Sequence, residues 1–173
     1  IRSKIKRVVV SSLDPNPVVN GKSIEQLKRS GIEVKIGVLK DDAIKLNQGF
    51  FNKFLLKRPS VTCKSGISLD GKISLSNGSS KWITSEESRQ DVQMERSIAS
   101  LIFSSSKTVI LDDPSLNVRD PLLLKKILKQ PDLAIVDTRL KIPLKSKIFN
   151  NSSRKIYLFT SIKNTTKKYK KNV

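Results

Sequence analysis

The sequence predicts an α/β fold with a largely parallel sheet and flanking helices. Short apolar runs typical of strands, such as residues 8–10 and 133–137, alternate along the chain with segments that carry helix-capping signals. Between two such segments, a Gly- and Ser-rich stretch over residues 65–84 joins a predicted strand end to a predicted helix start. Strands that alternate with helices favour parallel pairing, because each crossover helix returns the chain to the same end of the sheet.

The chain begins with a predicted strand, a turn and a short helix. Residues 8–10 (VVV) form the strand, and the DPNP sequence at 14–17 forms the turn, since each proline fixes its own φ. Ser23 and Gln26 have the spacing of a capping box, which predicts a helix start there. Gly31 supplies the expected helix end.

A second strand and a second helix follow. Residues 32–38 alternate apolar and polar side chains, as a strand with one solvent-facing side does. Asp41 is predicted to cap a longer helix that carries several apolar side chains and ends at Arg58-Pro59, because the residue before a proline avoids helical geometry.

The next strand and helix flank the Gly- and Ser-rich stretch. Alternation over residues 61–67 predicts a strand in which Cys63 is reduced and buried. Thr84 and Glu87 have capping-box spacing and predict a helix that continues to Ala99.

The remainder alternates apolar strands with short connections. Residues 101–103 and 133–137 are predicted to be buried strands, and residues 154–160 form another strand. Residues 108–119 are expected to form a loop with a short turn. Residues 120–131, which are bounded by prolines, are expected to form a short helix or an irregular link.

Composition excludes several classes of protein. The chain has 173 residues, one cysteine and no histidine, so neither a disulfide framework nor a Cys/His zinc site can form within one chain. No apolar run approaches the length of a membrane span, and a cytoplasmic location is therefore expected. The net charge of +19 raises nucleic-acid binding as an alternative, but the basic residues are spread everywhere without interleaved aromatic residues.

The stretch over residues 65–84 is the strongest functional signal. A strand that leads through a loop of small residues into a helix start is where α/β proteins bind phosphates and cofactors, because free backbone N–H groups and the helix dipole attract anions. The competing interpretation is an ordinary connecting loop.

Several motifs occur in the same order and at the same spacing as in a known enzyme family, and together they are specific. They are SLDGK (68–72), NGSSKWIT (77–84), RQDVQ (89–93), Arg96, TVILDDP (108–114) and LNVR (116–119). With these motifs the chain resembles the reductase domain of the bifunctional riboflavin-biosynthesis deaminase/reductase. The resemblance implies a dihydrofolate-reductase-like fold.

The resemblance also implies a domain organisation. Residues 1–57 resemble the end of the family's deaminase domain through DPNP (14–17) and LNQGFF (46–51), although the zinc signature is absent. Residues 58–162 resemble the reductase domain. The family's later acidic substrate contact and Gly-rich cofactor loop are not found, so this domain is expected to be incomplete at its C-terminus. Residues 163–173 are expected to form a basic, disordered tail.

The family's reductase uses NADPH to reduce 5-amino-6-(5-phospho-D-ribosylamino)uracil to its ribitylamino product. By resemblance, the NADP-binding positions are Gly66, Trp82, Thr108, Asp112 and Thr138. The substrate-binding positions are Ser80, Arg96, Leu116 and Arg119. No catalytic acid or base is assigned, because Asp70 belongs to an Asp-Gly pair and is expected to shape a turn.

Each assignment has a simpler alternative. Trp82 could be a core side chain, Gly66 a plain strand-end glycine, Ser80 a solvated loop residue, and each arginine a surface charge. For the whole chain, the alternatives are a non-catalytic remnant that binds a separate deaminase chain and, less favoured, a nucleic-acid-binding protein. The expected partners of the enzyme are its phosphorylated pyrimidine substrate, a second copy in a homodimer, and a deaminase chain.

Overall fold

A computed structural model describes residues 1–80, 82–161 and 169 of the chain. The chain divides into two units, Ile1–Lys64 and Ser65–Val173. The domain boundary expected after residue 57 stays a prediction. The expected disordered tail at 163–173 lies, apart from residue 169, outside the described residues.

The first unit contains a parallel strand pair joined by a helix. Strand β1 (Arg7–Val10) pairs with β2 (Glu33–Ile36), and helix α1 (Lys22–Arg29) connects them. The predicted capping box is wrong, because Ser23 already lies inside the helix and Gly21, at φ +75°, occupies the cap position. Gly31 ends the helix as predicted, since it also adopts φ +75°, a conformation that glycine reaches without steric cost.

The single long helix expected after Asp41 is broken into three pieces. They are α2 (Lys40–Leu46), α3 (Gln48–Phe51) and a π-helical turn over Asn52–Leu56. The break falls at Asn47, whose side-chain amide donates to the Ala43 carbonyl at 3.0 Å and so competes with the helical backbone. Leu39, not Asp41, is the cap residue, and Asp41 lies in the first turn.

The second unit begins without regular secondary structure. The strand predicted over residues 61–67 is wrong: this segment has no regular secondary structure and pairs with no strand in the described part of the chain. Cys63 is exposed rather than buried, and Val61 is 82% exposed. Alternation alone does not make a strand, because a strand also needs a hydrogen-bonding neighbour.

Helix α4 (Glu86–Ile98) follows the Gly- and Ser-rich stretch. Its cap is Ser85, whose hydroxyl accepts a hydrogen bond from the Ser88 N–H at 3.3 Å, and the predicted Thr84 cap is therefore wrong by one residue. Either Thr84 or Ser85 could have capped α4, since serine and threonine are both favoured at the N-cap position.

A three-stranded parallel sheet forms the centre of the second unit. Strands β3 (Leu101–Ser105), β4 (Asp132–Val136) and β5 (Ile156–Phe159) pair in the order β3-β4-β5. The predicted α/β class with a largely parallel sheet is confirmed, since both strand pairs of this sheet and the pair in the first unit are parallel.

Two short helices and a 3₁₀ turn connect these strands. Helix α5 (Ser106–Asp112) replaces the first part of the loop expected over residues 108–119, and the Ser105 hydroxyl caps it. Helix α6 (Pro121–Leu124) confirms the short helix expected after residue 120, with Asp120 as its cap. The 3₁₀ turn covers Lys147–Asn150.

The core of the second unit lies on one face of the sheet. It consists of Val109, Leu133, Ile135, Ile142, Ile148, Phe149 and Ile156. The opposite face carries Leu101, Phe103, Tyr157 and Phe159, each at least 45% exposed. The strand predicted at residues 101–103 is confirmed, but the prediction that it is buried is therefore wrong. Strand β4 is buried as predicted, because it lies between the other two.

No helix among the described residues has the length and apolar character needed to cross a membrane.

Candidate functional site

The Gly- and Ser-rich stretch forms two consecutive tight turns. In the first, the Ser68 N–H donates to the Lys72 carbonyl at 2.9 Å, and Gly71 adopts φ +78°. Asp70 accepts a hydrogen bond from the Ser68 hydroxyl at 2.5 Å, which agrees with its expected role in shaping the turn. In the second turn, the Leu75 N–H donates to the Ser79 carbonyl at 2.8 Å. Gly66 precedes the turns and Ser80 follows them, and both are half-buried.

Trp82 is held in place by a cation–π contact at the start of α4. It is 71% exposed, so the alternative of a core tryptophan is wrong. The Arg89 guanidinium carbon lies 4.4 Å from the Trp82 ring centroid, and the same guanidinium donates to the Thr84 carbonyl at 2.8 Å. The indole therefore offers a flat apolar surface to a ligand, while an anchored arginine fixes its orientation.

Helix α4 is hydrogen-bonded to the loop that follows α5, at two predicted substrate residues: Arg96 on the helix and Arg119 in the loop. Arg96, near the end of α4, donates from Nη1 to the Asn117 carbonyl at 3.2 Å. Gln93, one turn earlier, accepts a hydrogen bond from the Arg119 N–H at 2.8 Å. One face of α4 is thereby joined to residues 117–119, and the positive charge of Arg119 acts unfavourably on that of Arg96.

The same loop is also held by two buried polar side chains, Arg154 and Gln130. Arg154 donates to the Leu116 carbonyl, to the Ser115 carbonyl at 2.8 Å and to the Ile148 carbonyl at 3.2 Å. Gln130 donates to the Val118 carbonyl at 3.0 Å and accepts from the Val118 N–H at 2.9 Å. Leu116, a predicted substrate contact, is fixed at φ +46° in this way.

Electrostatics around this loop favour an anionic ligand. Burial, followed by repulsion from Arg119, lowers the pKa of the half-buried Arg96 guanidinium below its ordinary value. Burial and then repulsion from Arg96 lower the pKa of Arg154 to about 10, so Arg154 remains charged at neutral pH. Among the described residues, no carboxylate lies within ion-pair distance of Arg96 or Arg119. We name Arg96, Leu116 and Arg119 the arginine cluster.

A second group of polar side chains lies at the carboxyl edge of the sheet. Thr108 lies in the first turn of α5, where its hydroxyl is 3.4 Å from that of Ser105 at the end of β3. Thr138 follows β4, and its carbonyl accepts from the Thr160 and Ser161 hydroxyls at 3.1 and 2.8 Å. Because neighbouring parallel strands end together, these hydroxyl groups form one edge, the usual ligand-binding edge of an open α/β sheet.

The two groups of residues lie at opposite ends of the strands. Arg154 and Gln130 each lie two residues before a strand, so the loop that they hold is at the amino end of the sheet. Thr108 and Thr138 lie at the carboxyl end of the sheet. The two ends of a four-residue strand such as β5 are roughly 13 Å apart. The structure therefore brings Arg96, Leu116 and Arg119 together at the amino end of the sheet, whereas Thr108 and Thr138 lie at its carboxyl end.

Asp112 is the last residue of α5 and is exposed, which leaves its carboxylate available to a ligand. Its neighbour Asp113 adopts φ +40° and accepts a hydrogen bond from the Lys147 N–H at 2.9 Å, so it shapes the turn that follows α5.

Sequence reasoning missed Arg154 and Gln130, which organise the arginine cluster, and also Thr160 and Ser161. A basic or amide residue just before a strand carries no distinctive sequence signal. The hydroxyl pair directly after β5 could have been found, because residues that follow parallel strands meet at one edge.

The polar and aromatic side chains of the candidate site fit a nucleotide cofactor better than a metal ion. The carboxyl edge supplies hydroxyl groups, and Asp112 and Trp82 supply an acceptor and an aromatic face. No group of three or more His, Cys, Asp or Glu side chains suited to a metal ion occurs in the described part of the chain.

Comparisons with known proteins identify the family. The family described as RibD C-terminal domain matches residues 59–173. The riboflavin biosynthesis protein RibD of Aquifex aeolicus is 43% identical over 164 residues, which are 95% of this chain and 45% of that protein. The Escherichia coli protein of the same name is 37% identical over 150 residues, which are 82% of this chain and 41% of that protein.

Solved structures agree with the family match. Acinetobacter baumannii RibD (form 1) has a TM-score of 0.82 at 41% identity and covers 91% of this chain and 45% of its own. A Thermotoga maritima protein described as a diaminohydroxyphosphoribosylaminopyrimidine deaminase/5-amino-6-(5-phosphoribosylamino)uracil reductase has a TM-score of 0.83 at 36% identity and covers 94% of this chain and 44% of its own. The predicted fold class is thereby confirmed. The chain spans less than half the length of these relatives.

Proposed function

The chain belongs to the RibD C-terminal domain family, and we propose that it uses NADPH to reduce 5-amino-6-(5-phospho-D-ribosylamino)uracil to the ribitylamino product in riboflavin biosynthesis. The observation that carries this proposal is the arginine cluster. Arg96, Leu116 and Arg119, which were assigned to the substrate by motif, converge on one loop although Arg96 lies on a separate helix.

The arginine cluster suits a phosphorylated pyrimidine. A guanidinium donates two parallel hydrogen bonds and matches the oxygens of a phosphate or a uracil carbonyl. Repulsion from Arg119 adds to burial in disfavouring the charged state of Arg96, and an anion between the two side chains would relieve that repulsion. Ser80 is proposed to add a hydroxyl contact from the Gly- and Ser-rich stretch.

The carboxyl edge and the Trp82 surface suit the dinucleotide. We assign Thr108, Thr138 and Asp112 to hydrogen bonds with its polar groups, Trp82 to an apolar contact and Gly66 to a close backbone approach. When bound, the cofactor supplies the hydride that reduces C1′ of the opened sugar. The protein orients the two ligands, and an extended dinucleotide can reach along the sheet from the carboxyl edge towards the arginine cluster.

A non-catalytic binding role is the second candidate. The exposed sheet face with Leu101, Phe103, Tyr157 and Phe159 is an apolar surface of the kind that partners cover. Under this alternative, residues 1–57 derive from a deaminase domain and the chain binds a separate deaminase subunit. A homodimer is proposed for the enzyme itself.

We expect NADPH to quench the fluorescence of Trp82, the only tryptophan in the chain, in a saturable manner. The reason is that an indole already oriented by Arg89 can contact the nicotinamide or adenine ring. The measurement is a titration with NADPH and then NADH at low and moderate salt. Quenching should favour NADPH and persist at moderate salt.

The matched control is Trp82→Ala, with binding followed through the fluorescence of NADPH itself. We expect its NADPH dissociation constant to rise about tenfold, the size expected for one lost aromatic contact. An unchanged dissociation constant would remove Trp82 from the cofactor site. Binding of nucleic acid with a steep salt dependence, without any response to NADPH, would instead favour the nucleic-acid alternative.

A further inference from the structure

Arg154 is an unusual residue for a chain this basic. The chain has 34 Lys and Arg residues, yet Arg154 is 2% exposed, whereas charged side chains are almost always at the surface. Burial lowers its pKa, because removing the guanidinium from water disfavours its charged form. A buried guanidinium is retained where its hydrogen-bonding geometry is needed.

The hydrogen bonds of Arg154 join three separate segments. From its position just before β5, it donates to Ser115 and Leu116 in the loop after α5, and to Ile148 in the 3₁₀ turn. All three acceptors are backbone carbonyls. Arg154 therefore constrains the path of the main chain whatever side chains those positions carry.

Two features of the loop require such a support. Leu116 adopts φ +46°, a left-handed conformation that a leucine rarely adopts, and the surrounding contacts must hold it there. Asn117, the next residue, receives the Arg96 hydrogen bond through its carbonyl, and its own side-chain Oδ1 is buried with no hydrogen-bond partner among the described residues. Movement of residues 115–116 would therefore displace the group that positions Arg96.

We propose that Arg154 is a positioning residue for the substrate, one that fixes the backbone of residues 115–117 so that Leu116 and Arg96 are presented together. This inference rests on the proposed function. Arg154 itself is buried and is not proposed to touch the substrate. Its positive charge, which interacts with that of Arg96, adds to the attraction for an anion.

The test compares Arg154→Lys and Arg154→Gln with the wild-type chain. Lysine keeps the charge without the planar fork of donors, and glutamine keeps a planar amide without the charge. For both variants we expect the KM for 5-amino-6-(5-phospho-D-ribosylamino)uracil to rise about ten- to thirtyfold, with kcat within roughly threefold and the NADPH dissociation constant unchanged. Arg29→Lys is the matched control, because Arg29 is exposed on α1 and should behave as wild type.

A second readout does not depend on catalysis. Hydrogen exchange at residues 115–118 should be about tenfold faster in Arg154→Lys than in wild type, while exchange in β4 stays unchanged. If the wild-type chain reduces no substrate, the proposed function fails, and the exchange measurement then decides only whether Arg154 fixes the backbone of residues 115–117. Unchanged KM in folded variants of an active enzyme overturns the inference. Loss of the whole fold in both variants overturns it as well, because the role would then be general stability.

Discussion

Arg96→Ala is expected to lower kcat/KM for the phosphorylated pyrimidine about a hundredfold, the usual result of removing a charged hydrogen-bond donor from a ligand anion. The Arg96 guanidinium donates to the Asn117 carbonyl through one nitrogen. Its remaining donors are the ones we assign to the substrate. NADPH binding should change less than threefold, because the predicted cofactor residues Thr108 and Thr138 lie at the other end of the strands.

This loss should not come from unfolding. Burial and Arg119 already lower the pKa of Arg96, so the folded protein holds its charge unfavourably. Removal of that charge relieves the repulsion from Arg119 and offsets part of the lost packing. Steady-state kinetics with each ligand varied, alongside thermal melting, separates the two effects. Equal losses in affinity for substrate and NADPH would contradict the assignment of Arg96 to the substrate.

Asp137→Ala is expected to give the largest loss of stability of any polar substitution considered, about 2–4 kcal/mol. Asp137 is 1% exposed and follows β4 directly. Its two carboxylate oxygens accept hydrogen bonds from the Lys141 N–H at 2.9 Å and the Ile142 N–H at 3.0 Å. Alanine would leave both donors without this acceptor at a turn that leads into the core residue Ile142.

Urea denaturation measures this effect directly. Asp137→Asn keeps an acceptor oxygen and should lose less stability than Asp137→Ala. Asp91→Ala is the control, because Asp91 is exposed on α4 and its replacement should change the unfolding free energy by less than about 0.5 kcal/mol. If Asp137→Ala matches that control, the turn after β4 does not depend on its carboxylate.

The central sheet could be predicted from the sequence because its signals are local. Leu133, Ala134 and Ile135 form a continuous apolar run, and only a strand between two others buries every side chain in such a run. The one-sided exposure of β3 could not be predicted in the same way. Phe103 and Ile102 look alike in the sequence, and only the placement of the core on one face distinguishes them.

The errors arise where a tertiary contact overrides a local pattern. The β-branched and apolar run at Thr108 to Leu111 does not favour a helix, yet the Ser105 cap and the burial of Val109 produce α5. Conversely, residues 61–67 alternate as a strand does but have no strand to pair with among the described residues. The substrate side of the site was predicted through motif resemblance, whereas Arg154 required knowledge of which carbonyls lie nearby.

The most direct test of the proposed function is the oxidation of NADPH by this chain in the presence of 5-amino-6-(5-phospho-D-ribosylamino)uracil. The measurement follows the loss of NADPH absorbance and identifies the ribitylamino product by mass spectrometry. We expect turnover that depends on the substrate, prefers NADPH over NADH and falls about a hundredfold in Arg96→Ala. A folded chain that binds NADPH or the pyrimidine but forms no product would contradict the proposed reductase activity and favour the non-catalytic binding role.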